Sequence, residues 1–122
     1  MDEQERAFLL NKSPYLRRPE GPRATSEKFV FDVRGKNRSV EKSWDALCSA
    51  YRNNARRCFD HLAMTPRDRP TDESRVTELQ GRLAGIMQYE VGNAARVWYQ
   101  VYDEERVVVV ARVSISHPKE TE

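Results

Sequence analysis

The sequence has few cysteines and no long run of apolar residues. Its two cysteines, Cys48 and Cys58, lie in stretches with helical spacing, which argues against a secreted disulfide scaffold or a zinc cage and favours two buried free thiols. The apolar run Phe8, Leu9 and Leu10 is far shorter than the core of a signal peptide, and no stretch approaches a membrane span. We therefore expect a protein of the reducing cytoplasm.

Charge is nearly balanced, with 21 basic and 19 acidic side chains and a net charge of +2. The total is only a weak argument for an anionic partner. Between Arg17 and Arg57, however, basic residues clearly outnumber acidic ones; an ordinary solvated surface is the alternative explanation. With 122 residues, 39% of them hydrophobic, the chain is long enough for one core but too short for two ordinary domains.

The beginning of the chain differs in composition from the rest. It holds one glycine and three prolines among charged residues: Pro14, Pro19, Gly21 and Pro22. This mixture interrupts regular elements, so we predict that residues 1–28 form a flexible extension and residues 29–122 the folded domain. Aromatic and β-branched residues from Phe29 to Val33, ending at Gly35, indicate a first strand.

Two runs of helical spacing follow and predict a helical hairpin. Ser39 is the candidate N-cap, residues 52–54 the turn, and Thr65 before Pro66 the end of the second helix. We expect His61 to lie at the helix end or to face solvent. Apolar residues recur every three or four positions, as Val40, Trp44, Leu47, Cys48 and Tyr51 and then as Ala55, Cys58, Phe59, Leu62 and Ala63.

The last third of the chain has the alternation of strands. After an apolar bridge over residues 76–86, three segments are rich in β-branched and aromatic residues: 87–91, 96–102 and 106–115. The continuous apolar run from Val107 to Val110 is typical of a strand covered on both faces, and we predict that it is the central strand. The predicted fold class is α+β: an N-terminal strand, a helical hairpin and a three-stranded antiparallel meander.

Two strings within this pattern resemble the RelE/ParE toxin superfamily. The string LQGRLAG at residues 79–85 is similar to the bridge of leucines and glycines in that family, and RVWYQV at residues 96–101 is similar to its strand with the pattern Arg, apolar, apolar, Tyr, any residue, Val. The spacing of Lys42, Trp44 and Leu47 in the first helix also agrees. The resemblance covers about residues 29–117 and implies a RelE-like fold.

The resemblance also implies a function. RelE/YoeB-like members are toxins of type II toxin-antitoxin systems: ribosome-dependent endoribonucleases that cleave mRNA without a metal or other cofactor and are neutralised by a cognate antitoxin protein. Their reaction, attack of a ribose 2′-hydroxyl on the adjacent phosphate, needs a base, an acid and a cation. The alternative is a ParE-like toxin that binds DNA gyrase and cuts no nucleic acid. A structural relative or binding module without activity is the third interpretation.

The resemblance suggests three catalytic residues. Arg96 matches the strand arginine that contacts the scissile phosphate, although a surface arginine is the alternative. His117 lies near the position of a family histidine, arginine or tyrosine and suits proton transfer, unless it is merely solvated in a tail. Glu78 is the candidate general base, with Tyr89 and Glu90 as other residues near that position.

Further residues are candidates for RNA binding. Arg82 and Lys119 would contact phosphates, Tyr89 would lie near the RNA, and Trp98 would stack on a base unless it packs against a helix. Several family nucleases carry lysines on the strand that here holds Met87 and Tyr89, and this chain has none there. This departure favours the branch that uses a carboxylate, an arginine and a histidine.

Overall fold

The computed structural model describes residues 3–21, 29–68, 76–92 and 95–115. The predicted α+β class, with a first strand, a helical hairpin and a meander, is confirmed, and the structure adds one helix and one strand. The elements in chain order are α1 (Glu3–Lys12), β1 (Asp32–Gly35), α2 (Arg38–Ala50), α3 (Arg52–Met64), β2 (Val76–Glu78), a 3-10 turn (Gly81–Leu83), β3 (Met87–Val91), β4 (Ala95–Tyr102) and β5 (Val107–Ile115). Among these, no helix is long and apolar enough to cross a membrane.

The strands form one five-stranded sheet in the order β1-β5-β4-β3-β2. β1 runs parallel to β5, and the other neighbours are antiparallel. The central strand is therefore β4, and our prediction of a central β5 was wrong, because the unpredicted strand β2 adds to the far side of the meander. β5 still has a neighbour on each side, and Val107–Val110 are all buried, which accounts for their continuous apolar run.

The helical hairpin packs on one face of the sheet, which we call the closed face. Trp44, Leu47 and Leu62 are fully buried there, and burial of each such side chain contributes roughly 1.5–3 kcal/mol. The N-cap of α2 is Asn37 rather than Ser39, since the Asn37 side chain accepts a hydrogen bond from the Val40 amide at 3.0 Å. The turn is likewise shorter than predicted, with Tyr51 alone separating α2 from α3.

Residues 13–20, which we call the N-terminal arm, run along the edge of β1, so this part of the predicted extension of residues 1–28 is bound to the folded domain. Residues 1–2 and 22–28 of that extension lie outside the described residues. The Leu16 amide donates to the Val33 carbonyl at 3.0 Å, and the Gly35 amide donates to the Pro14 carbonyl at 2.8 Å. Leu16 is only 5% exposed. The prolines prevent a helix but are compatible with an extended edge segment, and that segment protects the open edge of the sheet.

Side chains of the hairpin also hold the arm. The Trp44 indole nitrogen donates to the Arg17 carbonyl at 2.8 Å. The Arg18 guanidinium donates two hydrogen bonds to the Asp60 carboxylate, at 2.7 and 3.0 Å, with both side chains largely buried. These bonds raise the pKa of Arg18, although desolvation opposes the change. The arm is therefore joined to both helices of the hairpin.

Arg34 of β1 ties the end of α1 to the arm. Its guanidinium donates to the Leu10 and Ser13 carbonyls, at 2.6 and 2.8 Å, and to the Tyr15 hydroxyl at 2.6 Å. It also stacks over the Tyr15 ring, 4.0 Å from the ring centre. A cation that binds carbonyls at a helix C-terminus complements the helix dipole, so Arg34 stabilises the helix end and the start of the arm together.

Candidate nucleic-acid interface

β4 sends its side chains alternately to the two faces of the sheet, because a strand has a period of two residues. Ala95, Val97 and Tyr99 lie on the closed face and are at most 1% exposed. Arg96 and Trp98 project from the other face and remain partly exposed. The alternation that we predicted for this strand is therefore present, with Arg96 on the side away from the helical hairpin.

Cross-strand pairing extends this arrangement into two adjacent rows of side chains. Residues opposite one another in neighbouring strands share a face, and β3, β4 and β5 each contribute one member to each row. We call these six residues the open face. The first row is Glu90, Arg96 and Ser114, and the second is Gln88, Trp98 and Arg112.

Arg112 joins this face because of a β-bulge. The register shifts between Trp98 and Tyr99, and Ala111 is the extra residue on β5. Strict alternation from Val110 would have placed Arg112 on the closed face, whereas the bulge turns it outward beside Trp98. Sequence reasoning missed Arg112, and the available signal was a charged residue at an inward position of a valine-rich strand.

Arg96 is paired only weakly. Its Nε atom lies 3.9 Å from a Glu90 carboxylate oxygen, and the two side chains are 37% and 40% exposed. One terminal nitrogen donates to the Ala95 carbonyl at 3.1 Å. A partly exposed guanidinium that has no closer carboxylate partner among the described residues keeps donors available for an anion. The geometry therefore permits a phosphate contact at this position.

Trp98 is held by polar neighbours on both adjacent strands. Its indole nitrogen donates to the Gln88 side-chain oxygen at 2.6 Å, and the Arg112 guanidinium stacks on the ring, 4.6 Å from its centre. The side chain points away from α2 and α3, so the expected alternative of packing against the hairpin is wrong. Beside it lies a cavity of about 320 Å³, lined by Leu79, Ile86, Gln88, Trp98, Ala111 and Arg112.

Glu78 and Tyr89 lie on the other side of the sheet from Arg96. Glu78 pairs with the buried Met87 and therefore points to the closed face. Tyr89 pairs with Val97 and also points to the closed face, where its ring centre lies 5.2 Å from that of His61. The sheet therefore separates both residues from Arg96. They cannot form one site with it, because the strand register places them on the opposite face. Among the three residues considered for the base, only Glu90 shares the open face with Arg96.

The remaining predicted residues are in less constrained positions. Arg82 is exposed in the 3-10 turn that precedes β3. His117 and Lys119 lie outside the described residues. The last described residue of β5, Ile115, pairs with Ala95, next to the row that contains Arg96.

The partly buried His61 and the two buried cysteines lie away from the open face. His61 is in the last turn of α3 but faces Tyr89 rather than solvent; burial lowers its pKa, with Asp68 opposing the change. Cys48 and Cys58 are buried free thiols, as predicted, and burial raises the pKa of Cys48 to about 11. Within the described part of the chain, no three His, Cys, Asp or Glu side chains are arranged to hold a metal ion.

The chain has the fold of the RelE-type toxins, so the predicted RelE-like architecture is confirmed. It is similar to a chain of the RelBE2 toxin-antitoxin complex of Mycobacterium tuberculosis, at 21% identity and a TM-score of 0.51 over 72% of this chain and 99% of that one. It is also similar to a chain of the Staphylococcus aureus YoeB-YefM complex, at 11% identity and a TM-score of 0.54 over 71% of this chain and 98% of that one. A third similar structure is that of an E. coli YafQ variant, at 15% identity and a TM-score of 0.53 over 70% of this chain and 92% of that one. Comparisons with family models and with curated proteins give no match.

Proposed function

We propose that this protein is the toxin of a type II toxin-antitoxin pair and that it is an endoribonuclease of the cytoplasm, cleaving mRNA on the ribosome without a metal. The fold supports the toxin class, because RelBE2 is a toxin-antitoxin complex with the same architecture. The observation that carries the nuclease activity is the position of Arg96. It stands half-exposed on the open face, beside a carboxylate and away from the hairpin.

Arg96 supplies the charge that the reaction needs. When a ribose 2′-hydroxyl attacks the adjacent phosphate, negative charge grows on the phosphoryl oxygens. A planar guanidinium can donate to two of those oxygens at once and does not lose its proton at neutral pH. Stabilisation of that charge by a positioned donor is often the largest single contribution to catalysis.

Two further residues complete the proton transfers in this proposal. Glu90, next to Arg96 on the open face, takes the proton of the attacking hydroxyl in place of our first choice, Glu78. His117 donates a proton to the departing 5′-oxygen. It follows Ile115 by two residues, a span of at most about 7 Å, and Ile115 pairs with the residue before Arg96. The products are a 2′,3′-cyclic phosphate and a 5′-hydroxyl. Arg82 and Lys119 would bind flanking phosphates.

A ParE-like gyrase-binding toxin is the second candidate. The observation that favours it is the low positive charge of the open face of β3. The side chains of β3 on that face are Gln88 and Glu90, and none is a lysine. Such a face binds the polyanionic backbone less strongly than a lysine-rich one would. Both candidates predict a cognate antitoxin, and in the nuclease proposal that antitoxin would cover Arg96 or wrap the helical hairpin.

Induction of the protein in growing bacteria distinguishes the two candidates. New 5′ ends confined to translated messages support the nuclease, whereas supercoiling defects with intact messages support the gyrase-binding toxin. Arg38→Ala is the matched control for Arg96→Ala, because Arg38 is an exposed arginine on α2 that bonds only to Glu41 among the described residues. Loss of message breaks in both variants would point to a general effect and contradict the role of Arg96.

A further inference from the structure

The second row of the open face, with its cavity, is not used by the phosphate chemistry proposed above. The cavity walls are mainly apolar, from Leu79, Ile86, Ala111 and the Trp98 ring, with Gln88 and Arg112 as the polar groups. It is adjacent to the row of Arg96, two residues along the strand or about 7 Å away. A nucleotide whose phosphate lies at Arg96 can therefore direct its base into this cavity.

The cavity offers surfaces for stacking. Trp98 presents an indole ring and Arg112 a guanidinium plane, and the guanidinium carbon lies over the ring, 4.6 Å from its centre. Unstacked RNA bases bind proteins through aromatic rings and arginine planes of this kind. Because every base has such a face, stacking alone would give affinity without selectivity.

The polar groups give selectivity because their hydrogen-bonding directions are fixed. An indole N–H can only donate, so its 2.6 Å bond to Gln88 sets the oxygen of that amide toward Trp98. The NH₂ group of Gln88 is left as the end that a ligand can meet. Arg112 also has only donors. The cavity thus presents donors, and it favours a base edge with adjacent acceptors.

Guanine is the base that fits this requirement. Its O6 and N7 are neighbouring acceptors, whereas adenine has a donor beside N7 and cytosine presents an amino donor. We propose that the cavity formed by Gln88, Trp98 and Arg112 binds a guanine base of the RNA strand whose phosphate contacts Arg96. The proposal extends the RNA-cleaving function and depends on it only for the source of the base.

The experiment measures binding of 2′-O-methylated trinucleotides, which cannot be cut because the attacking hydroxyl is blocked. Otherwise identical strands carry guanine, adenine, cytosine or uracil at one position, and affinity for the purified full chain is measured by calorimetry. Guanine is expected to bind about 10-fold more tightly than adenine. Equal binding of all four strands would overturn the proposal. GMP is tested alongside, and GMP affinity equal to that of the trinucleotide would replace the RNA site with a free-nucleotide site.

Two variants test the hydrogen-bond argument. Trp98→Phe keeps an aromatic ring but releases the Gln88 amide, which can then turn and pair with adenine, so the preference for guanine should fall to about equality. Gln88→Leu should remove the preference and weaken binding. Gln100→Leu, on the same strand but outside the cavity lining, should change neither. A guanine preference that survives both Trp98→Phe and Gln88→Leu would contradict the assignment.

The outcomes separate this inference from the proposed function. Message breaks in cells with no base preference in binding would discard the guanine site alone. A guanine preference without message breaks would discard the nuclease activity alone.

Discussion

The two faces of the sheet differ in what determines them. On the closed face, Val97 is buried against the helical hairpin, and an apolar side chain of similar size would be tolerated there. Tyr99 is also buried, and its hydroxyl donates a hydrogen bond to the Pro66 carbonyl at 2.6 Å. On the open face, Arg96 and Trp98 depend on exact neighbours from two other strands, one of them redirected by a bulge. Residue type and the spacing along one element are enough to predict which side chains are buried. The composition of a site on the sheet depends in addition on the register between strands. The following predictions test this division.

The largest expected effect is on activity and comes from the open face. Arg96→Ala should reduce message cleavage by at least about 100-fold, since it removes the donor to the developing charge. The free energy of unfolding should change by about 0.5 kcal/mol or less. Primer extension and urea denaturation measure the two quantities. Arg96→Lys should retain part of the activity, because it keeps the charge but loses the fork. A large loss of stability in Arg96→Ala would mean that the open face is structural too.

The two tryptophans provide the matched comparison of stability. Trp44→Ala on the closed side should lower the free energy of unfolding by about 3–5 kcal/mol, because a fully buried ring is lost together with its bond to the arm. Trp98→Ala should cost only about 1 kcal/mol, mainly for one hydrogen bond. Urea denaturation of both variants is the test, and equal losses would erase the distinction between the faces.

The N-terminal arm should behave as part of the core. Leu16→Ala is expected to lower the free energy of unfolding by about 2 kcal/mol, near the lower end for buried leucines because the site is at the sheet edge. The control is Tyr15→Ala in the same arm, since the Tyr15 side chain is 60% exposed and its hydrogen bond and its ring contact are both with Arg34. No change in Leu16→Ala by chemical denaturation would show that the arm is dispensable.

The sequence predicted the buried helical hairpin better than it predicted the open face of the sheet. The spacing of Trp44, Leu47 and Leu62 identified the hairpin, because a helical stripe is visible without knowledge of its partner. The arm was missed because its prolines indicate irregular chain and its bonds run to distant residues. Only the partner strand shows that Glu78 faces the helices and that Arg112 does not. One inserted residue, Ala111, changes the face of all that follows it.

The smallest expected effect is a pH dependence from the closed side. Burial lowers the pKa of His61, so folding favours its neutral form. Its contribution is therefore complete above the unfolded pKa of about 6.5 and is lost as the pH falls through the lower folded value. His61→Leu should flatten the decrease of the urea midpoint between pH 7.5 and pH 5. An unchanged slope would assign the acid sensitivity to other groups.

The central claim is that the open face performs metal-independent cleavage through Arg96. The most direct measurement combines purified protein with mRNA-programmed ribosomes and identifies the chemistry of the new ends. We expect fragments that end in a 2′,3′-cyclic phosphate and begin with a 5′-hydroxyl, produced by the protein and by Arg38→Ala but not by Arg96→Ala. Fragments that begin with a 5′-phosphate, or equal cleavage by Arg96→Ala, would contradict the account.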